Sequence, residues 1–491
     1  MRRNAITGAF VLIALAIIVI VVSIAAVGDT AVTAGRFSAL RSDHTALRSF
    51  VGRMPKGADL HVHLSGAVYA EDLIAWAAEK SLCVQLPDIF FTPQPCETGK
   101  NPAVADAIRT QSVYDDIVNA LSMRFFVPSA NVPSAHDQFF NSFSRYGAVT
   151  GLVPAEMMAR LLRRYAIQSV QHVELMLSFL GAKDRVELAA AIKDRRDPAQ
   201  RLAILKEKGL DTIVAQMKPQ IADIAAQIRA QLGCDTDKTR PGCEVSYRLI
   251  AQVVRTYDES QVFVQTAVAA ALVRAEPMVA GLNFVGPEDN RIARDDYMRH
   301  MEMIGFLAKD VPVALHAGEL WLGLVPPDDL TFHIRQAIEI AGARRIGHGV
   351  ALAYERRSNE LLDVMRRKPV AVEINLTSND VILGVRGRDH PLMAYWAARV
   401  PVTLSTDDMG VSRIDLSHEY FRAARDYPFG YRELRKIARN ALDHSFLSAD
   451  EKAEQIRRLD ASFAEFERAV ANERGHLRNI GTLIASLFRW P

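Results

Sequence analysis

Net charge is almost absent: 59 Lys and Arg against 57 Asp and Glu leave +2 over 491 residues. No global basic field is available to attract nucleic acid, and no nucleic-acid-binding motif is present. Cysteine is scarce, with four in the chain. No two of them form a Cys-x-x-Cys pair, which argues against a thiolate zinc site. Tandem repeats are missing, as are low-complexity linkers beyond residue 40. A composition of 49% hydrophobic and 24% charged residues excludes disorder, collagen-like repeats and a disulfide-dense mini-scaffold. The length suits about three domains of roughly 150 residues, or one α/β barrel enlarged by insertions.

One stretch departs from this average. After Arg2 and Arg3, the run Ala9 to Val27 holds 19 residues with one hydroxyl and no charge. It has no polar face, as a core helix would need. As a helix it would span about 28 Å, close to the hydrocarbon thickness of a bilayer. The preceding arginines would keep the N-terminus cytoplasmic and place the rest of the chain outside. Residues 1–34 are thus expected to be a signal peptide, with Val32-Thr33-Ala34 as an acceptable cut site, or an uncleaved membrane anchor, which the length of the run favours. The cysteines agree with export to the periplasmic or extracellular side. Four cysteines outside the reducing cytosol suggest disulfides. Of three possible connectivities, Cys83–Cys96 and Cys234–Cys243 close the smallest loops, the second around a turn-rich segment with Pro241 and Gly242.

Beyond residue 34, short apolar runs alternate with helical patterns. The runs are Ala58–Leu64, Ser169–Leu177, Tyr247–Val254, Val279–Val285, Val311–His316, Arg345–Gly349, Val370–Asn375 and Val402–Thr406. Most are rich in β-branched residues, as buried parallel strands are. Eight such runs in βαβα order predict an α/β fold, a (β/α)8 TIM barrel over residues 35–491. The first two connections are too long for plain crossovers. They predict helical insertions at about 81–135 and 180–245, set around one barrel mouth. The charged segment Asp450–Arg474 reads as a solvated surface helix.

Chemistry gathers at the strand ends. On a strand, His61 and His63 point to one face, here the barrel interior. His316-Ala-Gly-Glu319, Arg345-Ile-Gly-His348 and Ser405-Thr-Asp407-Asp408 end three further runs, where a barrel places its catalytic residues. Each alone is weak, since an Asp-Asp pair can simply cap a helix, but the four fall on one barrel face. Three histidines and an aspartate can hold one Zn²⁺ and leave a position for water, whose pKa then falls to about 7. His348 could accept the proton of that water. Glu319 could serve as a general acid if burial raises its pKa. Asp408, directly after a candidate ligand, would face the substrate.

The motifs Met54-Pro-Lys-Gly-Ala-Asp-Leu-His-Val-His63, Leu315-His-Ala-Gly-Glu319, Arg345-Ile-Gly-His-Gly349 and Ser405-Thr-Asp-Asp408 resemble those of adenosine deaminases in the metal-dependent amidohydrolase superfamily, in order and in spacing. The resemblance spans roughly Pro55 to His444. Phe139-Phe140-Asn-Ser-Phe143 looks like the aromatic stretch these enzymes carry before their second strand. The Met-Pro-Lys-Gly opening, the N-terminal run and the extended helical segments look most like the secreted, growth-factor-type branch. The resemblance implies zinc ligation by His61, His63, His316 and Asp407. It implies protonation of purine N1 by Glu319, handling of water by His348, a hydrogen bond from Asp408 to N7, and backbone contact from Gly286. The implied reaction is hydrolytic deamination of adenosine or a related 6-aminopurine nucleoside, as in nucleoside salvage.

One position departs from the pattern. Many members carry an acidic residue two after the second histidine, against the sugar; here it is Ser65, a weaker partner than a carboxylate. Adenine, a modified adenosine and a deoxynucleoside therefore stand beside adenosine. Two other functions compete: a zinc hydrolase for another C–N bond, and a catalytically silent binding or signalling relative. The polar site residues all being in place argues against the silent relative. The partner expected is a neutral small molecule rather than nucleic acid, with the membrane added if the N-terminal segment stays uncleaved. Mass spectrometry of the unreduced, alkylated protein should find no free thiol; four labelled cysteines would remove the support that the bridges lend to export.

Overall fold

The structure, a computed structural model, describes residues 28–487, with side chains through residue 473. The apolar run Ala9 to Val27 lies outside the described residues. Among the described residues no helix is long and apolar enough to cross a membrane.

Eight parallel strands form the core: β1 (Gly57–His63), β4 (Val170–Leu177), β5 (Ser246–Val254), β6 (Val279–Val285), β7 (Ala314–Ala317), β8 (Arg345–His348), β9 (Ala371–Ile374) and β10 (Val402–Leu404). They make two four-stranded sheets, β1-β4-β5-β6 and β10-β9-β8-β7. Parallel bridges join the sheets at both edges, Val62 to Asp407 and Leu282 to Val313. The eight strands thereby close on themselves. β1, β4, β8 and β9 are buried along nearly their whole length, because helices cover the outside and side chains fill the inside. All eight expected runs are strands. β7 starts at Ala314 rather than Val311: Pro312 lacks an N–H for the ladder, although its carbonyl accepts from Leu282 N.

The two long connections carry the elaboration. Between β1 and β4 lie a small antiparallel hairpin, β2 (Cys83–Gln85) with β3 (Phe90–Thr92), and a helix Ala135–Thr150, N-capped by Ser134. Between β4 and β5 lie helices Ala182–Ile192, Pro198–Glu207 and Leu210–Leu232. Leu210, Val214, Met217, Ile221, Ile228 and Leu232 line one face of the last of these, the 3.6-residue stripe of a helix with one buried side. That helix packs against helix Pro154–Ile167. Disulfides join Cys83 to Cys96 and Cys234 to Cys243. They tie down the hairpin and the loop after helix Leu210–Leu232.

The C-terminal segment is not a solvated surface helix. Helix Ala449–Leu487 packs on helix Tyr431–Asp443 and on β1 and β4. Leu459, Phe463, Phe466 and Val470 are buried, and Phe466 meets Phe50 edge-on at 5.2 Å between ring centres. The flanking charges hide this narrow apolar stripe from composition. Phe463→Ala should therefore lower stability by about 3 kcal/mol in urea unfolding, where a surface helix would lose no more than about 0.5 kcal/mol.

Candidate active site

Three imidazoles meet at the carboxyl-terminal mouth of the barrel. His61 and His63 point inward from β1, and His316 from β7. Each ring has its Nδ1 against an acceptor on a different strand. His61 Nδ1 donates to Glu373 Oε2 at 2.7 Å. His63 Nδ1 donates to Gln252 Oε1 at 3.0 Å, and His316 Nδ1 to Asn283 Oδ1 at 2.9 Å. In the neutral ring, which has one proton, these bonds would turn the lone pair of each Nε2 toward the other two rings. The three Nε2 atoms nonetheless face each other, His316 lying 3.0 Å from His61 and 3.1 Å from His63. Burial, then the neighbouring His61 and His63, depress the pKa of His316 well below the ordinary imidazole value, which favours its neutral form. Asp407 Oδ1 completes the cluster at 3.4 Å from His61 Nε2 and 3.3 Å from His63 Nε2. That oxygen is buried without a hydrogen-bond partner, while Asp407 Oδ2 accepts from Ser378 Oγ at 2.6 Å. Four donor atoms within reach of one point form a group that could hold a metal ion.

The backbone makes this convergence possible. Asp407 N donates to His61 O, and His63 N donates to Asp407 O. Asp407 and His348 sit at φ +58° and +67°, a left-handed region that non-glycine residues rarely hold outside strained sites. At Gly347 a Cβ would come within 2.5 Å of His61 Cε1; only glycine leaves that ring its place.

Three further groups adjoin the cluster. Glu319 follows β7 on a turn whose two N–H groups, Gly318 and Glu319, donate to the buried Glu288 carboxylate at 3.0 and 2.7 Å. Burial, then the charges of Asp407 and Glu288, hold the Glu319 carboxyl well above the usual carboxylate range. Its Oε1 lies 3.3 Å from His348 Nδ1. His348 is fully buried, and burial lowers its pKa to about 3. Asn379 Nδ2 stands 2.9 Å from His348 Nδ1 and turns its own Oδ1 to His390 at 3.0 Å. Burial, then Asp407, raise the Asp408 carboxyl well above its ordinary value. The site thus combines two carboxyls whose burial favours the protonated form with one imidazole whose burial favours the neutral form.

These groups line a cavity of about 320 Å³ together with Ser65, Gly286, Gln252 and the rings of Phe139, Phe140 and Phe143. That volume suits a small molecule. His61 and His348 stand behind its wall. The four disulfide cysteines are not part of it. A larger surface cleft of about 960 Å³ lies on the other side of helix Ala135–Thr150, beside Arg124 and Arg145, away from the cluster.

The model of the adenosine deaminase family matches residues 216–462, just over half of the chain. The chain belongs to the adenosine deaminase family. It is accordingly a hydrolase acting on C–N bonds, in the amidohydrolase superfamily. Adenosine deaminase of Salmonella schwarzengrund is 28% identical over 310 residues, covering 61% of this chain and 87% of that protein. Adenosine deaminase of Escherichia coli O1:K1 / APEC matches with the same identity and coverage. Among solved structures, apo N6-methyl-AMP deaminase from Arabidopsis thaliana is 18% identical with a TM-score of 0.52, covering 85% of this chain and 99% of that one. An amidohydrolase from Burkholderia ambifaria with bound zinc is 16% identical with a TM-score of 0.52, covering 87% and 95%. At such identities these structures share the fold.

Sequence reasoning missed the residues that orient the histidines: Glu373, Asn283, Gln252 and the Glu288 that holds the Glu319 turn. A signal was present. Glu373 and Asn283 are polar residues in the middle of apolar strands, where burial without a partner would be costly. If Glu373 orients a metal-binding His61, Glu373→Gln should weaken divalent-metal binding about 10- to 100-fold. Competition with a chromogenic chelator measures this, and unchanged affinity would refute the orienting role.

Proposed function

We propose that this protein is a zinc-dependent deaminase of adenosine or a related 6-aminopurine nucleoside, acting outside the cytoplasm. The observation that carries the reading is the convergence of three imidazole nitrogens and an unpartnered carboxylate oxygen beside two carboxyls that burial pushes toward the protonated form. The donor set fits zinc. It offers three imidazole nitrogens, two of them 3.0 Å apart, and one oxygen. His61, His63, His316 and Asp407 would hold the ion, which supplies Lewis acidity and makes water nucleophilic at neutral pH.

The remaining steps belong to side chains of this chain. Glu319 donates its proton to purine N1, which withdraws electron density from the ring and makes C6 electrophilic. His348 orients the attacking water and accepts its proton at a ring nitrogen. Asp408, as a protonated carboxyl, donates to N7, an atom that can only accept. Gly286 offers backbone contact to the purine ring, and Ser65 a neutral hydroxyl to the sugar. The phenylalanine rings exclude water from above. Water adds at C6, the 6-amino group leaves as ammonia, and the 6-oxo purine remains. Ser65 in place of an acid favours one second reading, in which the substrate is free adenine or a modified purine rather than adenosine.

The two disulfides and the apolar run Ala9 to Val27 support an exported protein, anchored if the run is retained. The Met54-Pro-Lys-Gly opening supports a place near the secreted, growth-factor-type branch. The test is loss of 6-amino absorbance with adenosine, deoxyadenosine and adenine, with and without chelator. Chelator-sensitive turnover of at least one is expected; no turnover by zinc-loaded protein would overturn the reading. His61→Ala should lose metal and activity together. Glu319→Gln should keep the metal and lose at least about 100-fold in kcat.

A further inference from the structure

A second cavity, of about 490 Å³, adjoins the first. Ser65 and Gln252 line both, so they form the boundary between them. Gln252 is held there from both sides, by His63 Nδ1 at 3.0 Å and Ser178 Oγ at 3.3 Å. Beyond this pair the wall is uncharged and largely apolar, with Thr150, Ser178 and Gln220 as its other polar side chains. Met157, Met176, Phe179, Met217, Ile221 and Ile224 supply its apolar part, from β4 and its following loop and from helices Pro154–Ile167 and Leu210–Leu232. Among the described residues, no Lys, Arg, His, Asp or Glu lines this second cavity, and no Lys or Arg lines the first.

The purine ring fixes which part of a substrate would face this boundary. With N1 at Glu319 and C6 beside the metal cluster, and N7 at Asp408, N9 lies on the far side of the bicycle from the reacting edge. The N9 substituent therefore leaves the first cavity away from Glu319 and His348. Two neutral groups, an amide and a hydroxyl, stand at the boundary, with a methionine-lined space behind them. A phosphate carried into that space would shed water without meeting a cation, which is costly. An apolar group would gain by burial, and the unbranched, polarisable methionines adapt to its shape.

We propose that the second cavity is a substrate subsite, and that the preferred substrate is a 6-aminopurine nucleoside whose sugar carries an uncharged, largely apolar group at its 5′ end rather than a free 5′-hydroxyl or a phosphate. This rests on the deaminase reading of the first cavity. The sugar hydroxyls meet Ser65 and Gln252, and the 5′ group passes between them.

The test uses zinc-loaded protein with adenosine, 5′-deoxy-5′-(methylthio)adenosine and AMP. kcat/KM for the methylthio compound should exceed that for adenosine by at least about tenfold, the effect of burying one or two apolar groups in place of a hydroxyl. AMP should turn over at least about 100-fold more slowly than adenosine. Ile224 is only half-buried, so Ile224→Asp tests the subsite with little risk to folding. It should reduce the methylthio-to-adenosine ratio of kcat/KM at least about fivefold, with turnover of adenosine itself reporting that the variant is folded. Equal or better use of adenosine or AMP, or a ratio that Ile224→Asp leaves unmoved, would overturn the subsite while the deaminase reading stood. Absence of turnover with every 6-aminopurine would instead overturn the reading on which it rests.

Discussion

The site depends on the protons of three imidazoles facing away from one another. His61, His63 and His316 each give the Nδ1 proton to a side chain on a neighbouring strand. Without those acceptors the rings could rotate or change tautomer, and the lone pairs would no longer meet. Glu373 is the strongest of the three because its second oxygen accepts from Arg345 Nε, and Arg345 NH2 in turn donates to Glu174 at 2.6 Å. A buried carboxylate is costly alone and tolerable when charge-paired and hydrogen-bonded on both oxygens. The fully buried Arg345 thereby supports the geometry of the mouth from a lower layer of the barrel.

The same low-dielectric interior divides the carboxyls into two kinds. Asp407, facing the imidazoles of His61, His63 and His348, is held well below the usual carboxylate range against the effect of its burial. Asp408 and Glu319, buried beside it, are pushed the other way. Burial is common to all three; the sign of the shift follows from which partner each one faces. An acid able to donate to a ring nitrogen and an anion able to hold a cation thus arise from one residue type within a few ångströms.

Much of the architecture was legible because a barrel strand buries both of its faces. Eight apolar runs stand out in such a fold, and His61, His316, His348 and Asp407 mark the ends of four. The hairpin of Cys83–Gln85 with Phe90–Thr92 left no trace, since three-residue strands carry no periodicity. The C-terminal helix was misread because Leu459, Phe463, Phe466 and Val470 are spread among charges. Glu373, Gln252 and Asn283 were missed for another reason. Their task is defined by partners distant in sequence, His61 lying 312 residues from Glu373, and no local pattern encodes such a distance. The roles of Gly286 and Asp408 came from family resemblance rather than from spacing.

The last strand ends where the barrel closes, and this has a mechanical consequence. Asp407 belongs to the seam through its backbone, exchanging hydrogen bonds with His61 and His63, and to the cluster through its carboxylate. One residue is therefore both a pin of the cylinder's seam and a member of the group that could hold a cation. Parting β1 from the end of β10 would pull the carboxylate off the histidines, and any cation held between them would resist that parting. One of the barrel's two seams and the candidate metal group thus share a residue, so whatever tightens one tightens the other.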